Sequence, residues 1–577
     1  VYAELDGRIR DTYAARTRMT NKRALYDSYI RAIRWASDRI GNAGVIAYVS
    51  NGGWVDGNVA DGLRLCLAED FSSLYVFHLR GNARTSGEQR RKEKDNVFGV
   101  GSRAPIAISF LVKNPNAADH GKIYFHDIGD YLSREEKLGK IQKLESIHGI
   151  GDSDGWQLVV PDSDGNWINQ GQEAFDGFLP LASKDGSEPS LFPVYSSGMK
   201  TNRDAWCYNS SKRSLATITK ESIEFFNSLD STYLPSGDES KFKWCQKTLG
   251  DLSADRKYKF DEAKMRTSHY RPFNRQWLYM DSRLNWSKYL TDRYFPTQAT
   301  ENQVICLSAP GFRGDFSVLM TDALPSIHFG DMAGAQCFPL QSFERDATEK
   351  ELFKANGVGK RDGISDVGLA HFQAAYNGEM ISKEDLFYYI YGILHSPDYR
   401  ERYADNLSKE LPRIPRVRKA EDFWHFSKAG RDLAALHLNY ETVDKYPLTI
   451  QAKGKLTDAD YRVEKMKFAK KKDPETGKSI NDRSAVIYNS KITMSGIPEA
   501  AWDYIVNGKA ALDWVMERQA VRVDKASGIV NDANDWAIET MDDPKYPLEL
   551  FQRVVTVSLE TQKIVAALPT LDIREDG

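Results

Sequence analysis

Apolar residues recur at spacings of three and four at Tyr26, Tyr29, Ile30, Ile33, Ala36 and Ile40, which predicts one amphipathic helix over 22–40. Gly41 and Gly44 end it. Val45–Ser50 is then almost continuously apolar, the pattern of a strand buried on both faces, and Asn51-Gly52-Gly53-Trp54 reads as a turn. A second helix is predicted at 59–67 and a second strand at 73–79. A polar stretch over 80–104 precedes a third strand at 105–112 and a fourth at 122–126. Strand–helix alternation predicts a parallel sheet with crossover helices, and the helix-free link before the third strand permits an antiparallel pair. Three or four strands with two helices make half of a doubly wound domain, leaving one sheet edge open and apolar. The chain opens on Val1 with polar, charged residues and reaches its first strand only after a helix. That order predicts the carboxyl-terminal part of a larger protein.

Residues 131–170 turn charged and then rich in Gly, Asp and Asn, which predicts a boundary between a first domain, 1–170, and a second, 171–577. In the second the alternation is lost. YRPFNRQWLYMD at 270–281 and NQVICLSAPGF at 302–312 read as strands. Helices are predicted over 384–411, broken at Pro397, over 423–440 and over 546–567, with a small β region at 448–495. The fold class is therefore α/β followed by α+β, a half-sheet and then a mixed region with carboxyl-terminal helices.

Composition narrows the function classes. Hydrophobic residues make up 41% and charged residues 28% of 577, ordinary for a globular protein, and no run of about 18 apolar residues could span a membrane. The five cysteines, Cys66, Cys207, Cys245, Cys306 and Cys337, form no C-x-x-C pair. They predict neither a disulfide framework nor a zinc site, no metal centre is expected, and a reducing cytoplasm fits. A net charge of −3 argues against non-specific coating of nucleic acid but allows a site-specific binder with one basic cleft.

Four segments carry candidate chemistry. Asn51, Gly52, Gly53 and Trp54 follow a strand, where α/β folds place ligands, and Trp54 could wall a pocket for a planar base. A plain turn with a packed Trp is the simpler reading of the spacing alone. Lys200, Thr201, Asn202 and Arg203 offer donors and acceptors suited to base edges and phosphates, and equally suited to a fold-stabilising turn with Asp204. Arg271 and Arg275 alternate with Tyr270, Phe273 and Trp277, as on a stacking surface or, more simply, along one strand. The seven Arg and Lys residues of 80–103, Arg80 to Arg103, could meet phosphates or line a solvated loop, and Lys470-Lys471-Lys472 fits a solvated hairpin tip.

The strings LYDSYIRAIRWASDRI, GVIAYVSNGGWVDG, YVFHLRGNAR and PIAISFLVKN resemble the second half of the adenine-N6 DNA methyltransferase domain of Type ISP restriction–modification enzymes. YSSGMKTNRDAW, YRPFNRQWLYMD, QCFPLQSFE, YGILHSPDYRERYADNLSKELPRIP, FSKAGRDLAALHL and VDKASGIVNDANDW resemble the attached target-recognition region, in the same order. The resemblance implies an incomplete Rossmann-like methyltransferase half-sheet at 1–170 and a target-recognition domain at 171–577. It implies double-stranded DNA as partner and S-adenosylmethionine as the methyl donor of the parent enzyme. An upstream methyltransferase half, an ATPase motor and a nuclease would belong to the same polypeptide. The family's Asn-Pro-Pro-Tyr motif and glycine-rich cofactor loop do not occur in this sequence. No catalytic or cofactor-binding residue is therefore carried over, and the chain alone is expected to be inactive. In the parent enzyme the target adenine leaves the duplex stack before methyl transfer, and Asn51–Trp54 would contribute to the rim of its pocket. The alternative is a non-catalytic DNA-specificity module that works with a separate methyltransferase.

Overall fold

The apolar periodicities become helices and strands at most of the places where they occur. This is seen in a computed structural model that describes residues 2–575 apart from 20, 86, 154, 236, 313, 331–333, 346–357 and 475–476. Val1 lies outside the described residues. The chain divides into two units, residues 1–172 with 313–315, and residues 173–312 with 316–577.

The first unit runs α1 (Ala3–Asp11), α2 (Ser28–Arg39), β1 (Gly44–Asn51), α3 (Asp61–Asp70), β2 (Ser73–His78), β3 (Ile106–Lys113), β4 (Lys122–Asp127), α4 (Arg134–Leu144) and β5 (Gln157–Val159). The helix expected over 22–40 is two pieces, because Asp27 is extended between a 3-10 turn at Arg23–Tyr26 and α2. The strand order is β1-β3-β2-β4-β5. β2 and β4 are parallel, but β3 lies between β1 and β2 and is antiparallel to both, so β1 and β2 run the same way without touching. The link that reverses the chain is braced and includes a short helix, Gly87–Glu93. The Asn82 N–H donates to Glu93 Oε2 (2.8 Å), and Asn96 Nδ2 donates to the carbonyls of Gly81 and Ala104. The fully buried Lys137 donates from α4 to the Glu93 and Asp95 carbonyls.

β1 departs from the expectation of burial on both faces. Among the described residues its single neighbour is β3, so its other edge is open within the unit. Ile46 and Tyr48 face α2, with the Tyr48 hydroxyl donating to the Ala32 carbonyl (3.0 Å). Val45 and Val49, on the opposite face, are 61% and 57% exposed. A strand with one partner and one covered face cannot bury an all-apolar run.

The second unit contains β6 (Ser196–Ser197), β7 (Tyr208–Asn209), α5 (Lys212–Ser228), β8 (Met265–Arg271), β9 (Asn274–Tyr279), β10 (Val304–Ser308), β11 (Val318–Thr321), β12 (Leu324–Pro325) and β13 (Ala335–Pro339). There follow α6 (Lys383–Ile393), α7 (Ala420–Leu438), β14 (Thr449–Ala452), β15 (Lys467–Lys472), β16 (Ser479–Ile487), β17 (Ile492–Ser495), β18 (Val521–Val523), β19 (Val530–Asp532) and α8 (Tyr546–Ala566). Among the described residues three four-stranded sheets result, ordered β12-β8-β9-β7, β11-β10-β13-β6 and β14-β17-β16-β15. YRPFNRQW is not one strand but the tip of the β8–β9 hairpin. Pro272 cannot donate to a ladder, and Phe273 at φ +54° reverses the chain while its ring packs edge-on to Tyr440 at 5.5 Å. The helical stretch after 384 breaks where expected. Pro397 takes the first position of a new helix whose preceding Ser396 hydroxyl accepts the Tyr399 N–H. α6 and α7 cross at two glycines, close enough that a Cβ on Gly430 would stand 1.9 Å from the Tyr388 carbonyl oxygen, and one on Gly392 2.2 Å from that of Phe426.

Candidate nucleic-acid interface

The turn after β1 is built from the inside. Asn51 Oδ1 accepts the Gly53 N–H (2.9 Å), and the Gly52 N–H donates to the Pro105 carbonyl (2.8 Å). A Cβ on Gly52 would meet Ala107 and His78 at 3.2 Å, so the glycine serves the approach of neighbouring strands. Trp54 is 1% exposed and meets Trp167 edge-to-face at 5.4 Å. It is a core residue of this unit rather than a pocket wall. The fully buried Arg64 locks the turn by donating to the carbonyls of Trp54, Gly57 and Gly165 and to Asn166 Oδ1. Burial pushes its guanidinium down to about 10.

Asp56, two residues beyond Trp54, carries no signal in local spacing. Burial pushes its carboxyl up, against the opposing charges of His78 and Arg64. Nearby Asp127, at the carboxyl end of β4, is held down to about 2. Burial acts the other way, but hydrogen bonds from His78 (3.3 Å) and Arg80 (2.7 Å) outweigh it. Asp56, in the turn beyond β1, and His78, at the end of β2, were legible only as polar residues.

In the second unit the two Arg-rich segments converge on Asp204. Its side chain accepts from the Thr201 hydroxyl, from the Tyr270 hydroxyl (3.1 Å) and from Arg271 Nη2 (3.3 Å). The Arg271 guanidinium lies 3.9 Å from the Tyr270 ring centre, and Arg518 approaches the same ring at 5.8 Å. Burial and the neighbouring Arg271 charge push Arg518 down to about 10. Arg203 is turned inward over Phe242 at 5.1 Å and donates to Cys245 Sγ. Thr201, Arg203 and Arg271 are thus buried parts of the frame. Arg275 is drawn elsewhere, into ion pairs with Asp322 (2.7 Å) and Glu441 (3.1 Å). Lys200 is half-buried, bridged through its backbone to Ser287, and Asn202, at φ +58°, is exposed. Of the six candidates, these two keep side chains near the surface without an ion pair among the described residues. Arg518, some 250 positions away in sequence, is a member that local spacing could not disclose.

Among the described residues no group of three or more His, Cys, Asp or Glu could hold a metal ion, and no helix is long and apolar enough to cross a membrane.

This mixed architecture of small sheets and helices has solved counterparts. Residues 190–550 match the family model of the Type ISP C-terminal specificity domain. A nuclease-deletion mutant of the Type ISP restriction–modification enzyme LlaGI, in complex with a DNA substrate mimic, is 35% identical at a TM-score of 0.83, covering 99% of this chain and 43% of that one. The ATP-dependent Type ISP restriction–modification enzyme LlaBIII, bound to DNA, is 33% identical at 0.84, covering 100% and 36%. DrdV, seen by cryoEM in a DNA complex, is 32% identical at 0.80, covering 99% and 55%. The chain belongs to the Type ISP restriction–modification family, and 190–550 is its C-terminal specificity domain. It spans between about a third and just over half of the length of those three structures. No curated protein sequence matches it.

Proposed function

We propose that this chain recognises a specific sequence in double-stranded DNA and supplies part of the fold of an adenine-N6 methyltransferase, without being a complete methyltransferase. The observation that carries the reading is β1. Its free edge and its exposed Val45 and Val49 are an unfinished border of the kind another strand covers. The three DNA complexes similar to this chain are each longer than it. A strand and helix from an upstream methyltransferase half of the same polypeptide would complete the border, and an ATPase motor and nuclease would complete the parent enzyme.

S-adenosylmethionine is the methyl donor this reading requires. The residues at the carboxyl end of β1 do not fit it by themselves. Trp54 is enclosed, Gly52 faces neighbouring side chains, and a Cβ on Gly57 would strike the Gly53 carbonyl at 2.3 Å rather than open space. Within the specificity domain, Lys200 and Asn202 contact DNA. Thr201 and Arg271 position them through Asp204, Arg203 does so through Phe242 and Cys245, and Arg275 braces the hairpin. Base contacts of this kind specify sequence while phosphate contacts set register.

Calorimetric titration tests the reading. The chain alone should bind no S-adenosylmethionine and transfer no methyl group, while the polypeptide extended by its upstream half should do both. Tight cofactor binding by the chain alone would refute it.

A further inference from the structure

The chain carries a net −3, yet residues 453–491 hold eleven Lys and Arg against six Asp and Glu, a local +5. This surplus lies on the strands and connections of the β14-β17-β16-β15 sheet, one edge of which is β15. A groove of about 540 Å³ runs between residues 459–467 and the turn that joins β16 to β17. Asn489 ties its walls together by donating to the Asp460 (2.8 Å) and Arg462 (2.9 Å) carbonyls.

The groove's two acids are already engaged, Asp460 with Lys491 (2.5 Å) and Glu464 with Arg462 (3.3 Å). Lys465 and Lys467 line the groove, are exposed, and have no ion-pair partner among the described residues. Their backbone is anchored. Met466 between them is buried, Phe468 beside them packs on Trp502 at 5.1 Å, and Lys465 bridges to Ala520. Past a bulge after Phe468, the same strand continues through Lys470, Lys471 and Lys472. These lysines form the edge strand itself rather than a hairpin tip, and residues 475–476 lie outside the described residues.

Lysines on an edge strand also discourage strand-to-strand aggregation. That role needs charge anywhere along β15. It accounts neither for the groove nor for Lys465, which precedes the strand. A polyanion laid along the edge accounts for both. We propose that this groove docks the sugar–phosphate backbone of duplex DNA outside the sequence being read, as a sequence-independent clamp. The proposal rests on the DNA-recognition reading given above and adds to it a second, separate contact surface.

The test is the salt dependence of binding of the full chain to a mixed-sequence duplex. Each lost phosphate contact lowers the slope of log K against log salt by about 0.9. The Lys465→Gln/Lys467→Gln variant should therefore lose nearly two units of slope, and Lys465→Arg/Lys467→Arg should keep it. Lys428→Gln/Lys563→Gln, which removes two helix lysines already ion-paired to Asp432 and Glu560, should also keep it. An unchanged slope in the first variant, with or without aggregation, overturns the clamp and leaves edge protection as the role of these lysines. An equal loss in the helix-lysine control also overturns it. Absence of binding by the unaltered chain at every salt concentration overturns the underlying DNA reading instead.

Discussion

The crossing of α6 and α7 allows a prediction in which two effects of opposite sign compete. Gly430→Ala places a methyl group 1.9 Å from the Tyr388 carbonyl oxygen and 2.8 Å from its carbon, where ordinary contact begins near 3.4 Å. Intrinsic propensity alone favours alanine over glycine in a helix by about 0.8–1.0 kcal/mol. To accept the methyl, the helices must part by about 1.5 Å at the crossing, loosening the buried Tyr389, Ile390, Phe423 and Phe426 packed around it. Overpacking of this kind typically costs about 1–3 kcal/mol, occasionally more. A 1.5 Å opening between backbones, which no rotamer change can absorb, belongs at the upper end, so a net loss of about 2 kcal/mol is expected. Gly392→Ala meets the Phe426 carbonyl at 2.2 Å and should act alike. The two together should cost less than their sum, because one separation relieves both clashes. Gly139→Ala in α4, with nothing within 4 Å of its Cβ, reports the propensity gain alone. Calorimetric unfolding of the four variants decides the matter. Gly430→Ala as stable as Gly139→Ala would refute the close crossing.

Acid, a buried arginine, the open edge and the contrast between exposed Asn202 and buried Thr201 each have an expected effect. Burial, reinforced by the nearby Arg400 charge, pushes His437 down to about 3. The unfolded imidazole takes up a proton near 6.5, so stability is whole above that pH and falls by about 1.4 kcal/mol per unit towards 3. Buried His395 and His269 are also held below their ordinary value and steepen the fall. Urea midpoints that do not move between pH 7 and 5 would contradict this. Arg64→Met should strand four acceptors and destabilise the first unit by about 3–5 kcal/mol, read as lost hydrogen-exchange protection over 53–57 and 162–166. Val45→Lys with Val49→Lys should suppress self-association of the chain while shifting stability by about 0.5 kcal/mol or less, checked by sedimentation and thermal melting. Asn202→Gly keeps the backbone at its positive φ and should weaken binding to the recognised DNA without lowering the melting temperature, whereas Thr201→Val should lower it. A melting temperature that falls as far for Asn202→Gly as for Thr201→Val would assign Asn202 to the frame as well.

Elements governed by local periodicity were legible. α7, α8, β1 to β4 and the break at Pro397 lie within a few residues of where hydrophobic spacing and proline place them, whereas β5 falls in the stretch whose composition reads as a boundary. Pairing was not legible, because strand composition does not say which neighbour a strand takes. β3 entering between β1 and β2, and the hairpin inside YRPFNRQW, depend on partners outside the local window. The candidate residues divide in the same way. Arg and Lys near Tyr and Asn look alike in sequence whether the guanidinium faces solvent or Asp204. Only the packing of Tyr270, Arg271 and Arg518 separates a frame from a surface. Three consecutive lysines reveal charge near β15 but not the groove beside it, whose members Lys465 and Lys467, without ion pairs among the described residues, stand apart from that run.

The inward commitment of Arg203 and Arg271 also bears on how such a domain diversifies. Arg271, held by a carboxylate and an aromatic face, and Arg203, held by an aromatic face and a thiol, cannot be exchanged without loosening the scaffold around them. On the proposed reading, altered specificity would begin at displayed positions such as Asn202, where a replacement leaves the frame standing and a lineage can change its target one viable step at a time.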